Sequence, residues 1–194
     1  MFDSLAISFD LPILDWIQAN LSSPLMDKLM PIVTLFGEGG IFWIAMAVLL
    51  LAIPKTRKVG LGMGFALIFG LIGCNIVLKN LCQRIRPYTF QLQHYGVTIE
   101  LLVKGLSDYS FPSGHTIASF EAATVLLRND KRMGIPALIL ACLVAFSRLY
   151  LYVHYPTDVI AAIILGVIFG ILGDILAGKV MEKLPARRGK YLRQ

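Results

Sequence analysis

Apolar residues along this chain come in unbroken blocks, not at the three-and-four spacing of a helix with one wet side. Residues 59–78 carry no charge, and residues 39–54, 133–147 and 159–173 are equally charge-free. A helix needs about 20 apolar residues to cross the hydrocarbon of a bilayer, so each block and its neighbours predict a spanning helix. The 39–54 block extends backward through Gly37, the 133–147 block ends near Arg148, and the last runs on to Lys179. A fifth block, 113–127, mixes His115 and Glu121 with several Ser, Thr and Ala. Such a helix is a poor guest in lipid and belongs inside a bundle, its polar side against protein or water. The pattern predicts an all-α integral membrane protein with about five transmembrane helices.

Residues 1–37 read differently. Asp3, Asp10, Asp15, Asp27 and Lys28 interrupt the apolar residues, and Pro12, Pro24 and Pro31 break the pattern. One or two amphipathic helices lying in the interface, with Trp16 at headgroup depth, is the expectation; a sixth, irregular span is the alternative. No basic start followed by an apolar core and a small-residue cleavage site marks a signal peptide. The chain divides into an interfacial segment (1–37), a transmembrane bundle (38–180) and a basic cytoplasmic tail (181–194). No internal repeat or linker makes room for a second domain.

Composition narrows the class. Hydrophobic residues make up 57% of the 194 positions and charged residues 15%, against about 25% charged in soluble domains. That excludes a disordered chain, and three cysteines exclude a disulfide scaffold. Cys74, Cys82 and Cys142 lack metal spacing and read as packing residues. Gly60, Gly62 and Gly64 follow no strand and are a weak phosphate loop; Gly166 and Gly170 read as close helix packing. With five spans, six of the 18 basic residues fall on one side: Lys28, Lys79, Arg84, Arg86, Lys104 and Arg148. The other twelve, in the 54–58 and 128–132 loops and the C-terminal stretch, mark the opposite side as cytoplasmic. The net charge of +6 then sets orientation and attraction to anionic lipid, with no need for nucleic acid.

Polar residues cluster at the non-cytoplasmic level. Lys79 ends the second span and Arg86-Pro87 follows; Pro112-Ser113-Gly114-His115 opens the third; Ser147-Arg148 closes the fourth; His154-Tyr155-Pro156-Thr157-Asp158 opens the fifth. Charges near membrane helices are costly and usually functional. Ser113 suits an N-cap and Pro156 a first helical turn, so two helix N-termini point at the same face. Free N–H groups with Lys79, Arg86 and Arg148 would hold an anion rich in oxygens.

Two histidines add reactivity. His154 and Asp158 are four apart at a helix start, so the carboxylate can orient the ring and make its other nitrogen a nucleophile. His115, without a carboxylate nearby in sequence, is free to protonate a leaving group. His94 reads as a bystander, Glu121 as a carboxyl with a buried structural partner, and Arg84 as a contact to lipid phosphates. Tyr88, Tyr95, Tyr109, Tyr150, Tyr152 and Tyr155 suit an interfacial aromatic belt.

Lys79-x6-Arg86-Pro87, Pro112-Ser113-Gly114-His115 and Ser147-Arg148-x5-His154-x3-Asp158 together resemble the three-part signature of the type-2 phosphatidic acid phosphatase superfamily, over residues 79–158. The resemblance implies a helical bundle of six helices or fewer and a metal-independent site, without cofactor, at the outer membrane–water boundary. It implies a phosphohistidine at His154, support from Asp158 and leaving-group protonation by His115. Lys79, Arg86, Ser113, Gly114 and Arg148 would hold the phosphoryl oxygens. It also implies a lipid phosphate as substrate: undecaprenyl diphosphate first, phosphatidylglycerol phosphate and phosphatidic acid as alternatives. The 88–111 loop would shape the entrance. A non-catalytic lipid-phosphate binding or transport protein is the competing class; it would need the anion pocket but not the His154–Asp158 pair. The sequence carries no sign of oligomeric state.

Overall fold

The structure, a computed structural model, describes residues 2–183. Most of the tail expected at 181–194 therefore lies outside the described residues. The chain is helical: α1 (Phe2–Leu5), a π-helical turn (Ala6–Asp10), α2 (Leu11–Leu21), α3 (Pro24–Leu35), α4 (Ile41–Ala52) and α5 (Arg57–Gly70). A π-helical stretch (Leu71–Leu78) leads into α6 (Lys79–Cys82), followed by α7 (Pro87–Tyr95), α8 (Gly114–Asn129), α9 (Lys131–Tyr150) and α10 (Pro156–Lys183).

Local chemistry sets several boundaries. Ser23 caps α3 by accepting from the Met26 amide at 3.3 Å, with Pro24 at the first helical position. Asp130 caps α9 by accepting from the Arg132 amide at 2.8 Å. The expected backward extension of the first span through Gly37 does not form. Gly39 and Gly40 adopt left-handed φ of 55° and 68°, which stops α4 at Ile41.

Among the described residues, four stretches are long and apolar enough to cross a membrane: Pro24–Ala52, Arg57–Tyr95, Lys131–Tyr150 and Pro156–Lys183. The first is broken at Gly39 and Gly40, the second after Cys82. The fifth expected span, α8, has only 16 residues and is the inner helix, packed against α5, α9 and α10. Its buried residues come from all round the helix, including Thr116, Ser119, Phe120, Glu121 and Val125. That is the physical reason its sequence is mixed: it meets protein, not lipid.

Between helices in hydrocarbon, close packing and hydrogen bonds replace the hydrophobic effect as the main attraction. A Cβ on Gly170 would come within 2.6 Å of the Thr124 Cβ, and one on Gly166 within 2.9 Å of the Phe120 Cβ, so the small-residue face of α10 lies directly on α8. Trp43 of α4, fully buried, donates to Ser119 Oγ at 3.0 Å. Of the cysteines, Cys74 is buried but Cys142 is exposed on the outside of the bundle, so packing does not account for it.

Residues 2–35 pack over the turn between α9 and α10. Ile17, Met30 and Val33 meet Val144, Tyr150 and Val153, while Ala6, Leu11 and Leu14 meet Phe90, Tyr152 and Tyr155. The aromatic-belt expectation fails for three tyrosines. Tyr150, Tyr152 and Tyr155 are buried, and the first two donate to Asp27 and Asp15.

Candidate active site

The starts of α8 and α10 are not equivalent. At α10, Thr157 N–H donates to Asp10 at 2.9 Å and Tyr155 N–H to Asp158 at 3.0 Å, so protein carboxylates already occupy that terminus. At α8, Ser113 holds the cap position yet makes no side-chain cap bond; its Oγ accepts from Thr116 Oγ1 at 3.0 Å instead. The α8 terminus is therefore the one open to an anion.

His154 lies in the turn between α9 and α10, almost completely buried. Its Nδ1 sits 3.5 Å from Asp158 Oδ2 and 3.4 Å from Ser110 Oγ, and its Nε2 is 3.3 Å from an Arg86 nitrogen. Asp158 is more tightly held than the imidazole it faces. It accepts from Arg84 at 2.6 Å, from Ser110 Oγ and from the Tyr155 amide. Burial, followed by the charges of Arg86, Arg148 and Lys79, pushes the His154 pKa well below the ordinary imidazole value. The neutral ring, with one nitrogen unprotonated, is the resting form.

The cations gather through a loop acid. Asp108 pairs with both Lys79 and Arg86, and Arg86 also donates to the Val153 carbonyl at 2.8 Å. Burial opposes ionisation of Asp108, but Lys79 and Arg86 overcome it and hold the carboxyl at about 2. Arg148 is buried, donates to Thr34 Oγ1 and leaves its Nε without a partner among the described residues. An orphaned guanidinium N–H at such depth is a donor in want of an acceptor.

His115 at the start of α8 does have a carboxylate partner, brought from far away in sequence: Glu38 Oε2 lies 3.2 Å from its Nε2. His115, His154, Lys79, Arg86 and Gly114 all line one cavity of about 690 Å³. From this polar mouth it continues between α4 and α5 past Ile44, Val48, Leu51, Leu67 and Ile68. Of the predicted phosphate ligands, Ser113 and Arg148 are buried beside this group and are not among the cavity's lining residues. Among the described residues, no group of three or more His, Cys, Asp or Glu is gathered as a metal site.

Two expectations are corrected. Arg84 does not face lipid phosphates. It is buried against the Tyr155 ring, 3.7 Å from its centroid, and ties Asp10 to Asp158 at 2.6 Å each. Glu121 is buried as expected but without a structural partner: its Oε2 has no hydrogen bond among the described residues. His94 stacks on Phe90 at 3.9 Å, away from the cavity-lining residues, as a bystander would.

Sequence reasoning missed Asp10, Thr34, Glu38, Asp108 and Ser110. A signal existed for part of this set. Asp10, Asp15 and Asp27 break an otherwise apolar N-terminal pattern, and each accepts from the 150–157 segment. Polar residues that spoil an amphipathic face are often buried partners.

Residues 57–179 match the PAP2 superfamily. An undecaprenyl-diphosphatase of Sulfolobus acidocaldarius is 39% identical over 125 residues, 64% of this chain and 58% of that protein, so the match spans little over half of that relative. The undecaprenyl-diphosphatase BcrC of Bacillus subtilis is 28% identical over 76% of this chain and 72% of its own length. The crystal structure of a PAP2-type phosphatidylglycerolphosphate phosphatase from Bacillus subtilis superposes with a TM-score of 0.63 at 27% identity, covering 86% of this chain and 82% of that one.

Proposed function

The chain belongs to the PAP2 superfamily, and from that premise we propose that it is a membrane lipid phosphatase working through a phosphohistidine at the extracytoplasmic face. The observation that carries the reading is one shared cavity, lined by two imidazoles and two cations at one part and by apolar side chains along the rest. A lipid phosphate fits such a shape, with its head among the cations and its tail between helices.

The residues divide the chemistry. Nδ1 of His154 faces Asp158 and Ser110, which favours a proton there and leaves Nε2 to attack phosphorus. A P–N bond forms as the P–O bond to the lipid breaks, and the departing oxygen takes a proton from His115. Water then attacks the phosphohistidine and gives a proton back to His115. The P–N bond breaks, and inorganic phosphate leaves. Phosphoryl transfer depends mostly on positioning and charge, supplied here by Lys79, Arg86, Arg148 and the open start of α8 with Ser113 and Gly114. Asp108 holds Lys79 and Arg86 in the resting state; an arriving phosphate competes with it for both cations.

Undecaprenyl diphosphate is the preferred substrate, in line with the named activities of two relatives. Phosphatidylglycerol phosphate, the lipid after which one structural neighbour is named, and phosphatidic acid follow. The charge count supports a cell-membrane protein with its site outward and its C-terminus in the cytoplasm. The test is phosphate release in detergent from these three lipids, by the wild type and by His154→Ala. Release by the wild type alone supports the reading; binding without release by either protein overturns it in favour of a carrier.

A further inference from the structure

An amide side chain in the cavity takes no part in this chemistry. Asn75 lies in the π-helical stretch, four residues before Lys79 and so roughly 6 Å further into the membrane. Its side chain has no hydrogen-bond partner among the described residues and lines the cavity that holds both imidazoles. The carboxamide rests against the start of α8: a Cβ on Gly114 would stand 3.0 Å from its Oδ1. An unpaired amide in a spanning segment is costly, and π-helical segments within helices recur at functional sites.

In a lipid diphosphate the outer phosphorus is attacked, and the inner phosphate lies toward the tail, where the Asn75 N–H groups are the free donors. The next polar side chain inward, Glu121, brings a carboxyl and no cation, so the anion-holding part of the cavity ends at Asn75. We propose that Asn75 forms a subsite for the inner phosphate of a lipid diphosphate, and that this contact separates diphosphate from monophosphate substrates. The proposal rests on the phosphatase reading and deepens it: the inner phosphate is the leaving group, and a donor on it stabilises the charge it gains as the P–O bond breaks.

The test uses the full-length protein in detergent with farnesyl diphosphate and farnesyl monophosphate, which share one tail. Asn75→Ala should lower kcat/KM for the diphosphate about 10-fold or more, the range expected for a hydrogen bond to a charged group. It should leave the monophosphate within about 2-fold. Asn75→Asp, nearly the same size but negative, should lower the diphosphate value further, which guards against a packing defect in the first variant. If the monophosphate is not hydrolysed, its inhibition constant against the diphosphate is read in its place. Equal losses on both substrates, or no loss on either, overturn the subsite. A wild type that frees phosphate from neither overturns the phosphatase reading instead.

Discussion

Asp158 and Glu121 are equally deep, yet their surroundings are opposite. Asp158 has an arginine, a serine hydroxyl and a backbone amide on its two oxygens. Glu121, against Gly70 in the middle of the bundle, has one oxygen with no partner among the described residues. Burial alone therefore does not tell the two carboxylates apart; the set of donors does. The saturated one lies beside the imidazole, and the donors fix where its charge sits relative to His154.

Substitutions should expose that difference in order of size. His154→Ala should reduce phosphate release to background, a loss of at least about 10³-fold, with the melting temperature close to wild type. Appreciable turnover would remove His154 from the nucleophile's place. Asp158→Ala should both slow the enzyme and destabilise it by about 3–5 kcal/mol, because Arg84 loses one of its two carboxylates inside the protein. Arg84→Met should weaken folding through the same link, and activity measured across temperature would separate the two effects. Glu121→Leu should go the other way, neutral or up to about 1 kcal/mol stabilising, since an unpaired carboxyl leaves an apolar site. A large loss of stability there would mean that Glu121 has a partner in the membrane. The smallest effect belongs to Asp108. Its carboxyl is held at about 2 in the folded protein, below the unfolded value, so its contribution is present above about pH 4 and disappears as pH falls through 2. Asp108→Asn should flatten that acid limb of the stability curve, read by thermal melts.

The same contrast explains what could be read from sequence. Continuous apolar blocks announced α5, α9 and α10, and the mixed composition of α8 announced an inner helix. The cluster of His115, His154, Lys79 and Arg86 was legible because those residues stand where lipid would not tolerate them. Their supports were not. Asp10 pairs with Arg84 and Glu38 with His115 across 74 and 77 positions, and no spacing rule connects residues that far apart. Arg84 looked like a headgroup contact because its two acids come from separate helices. Glu121 looked paired because buried charges usually are; nothing local reveals that its neighbour is a bare glycine.

The N-terminal helices carry a consequence for biosynthesis. Asp10 waits for Thr157, 147 positions later, and Thr34 waits for Arg148. Contacts that distant close late, after the nearer hairpins have formed. A nascent chain halted at the end of α9 would hold His115, Lys79 and Arg86 with neither His154 nor Asp158 beside them. The cavity that holds both imidazoles is thus completed only once α10 meets the helices of residues 2–35.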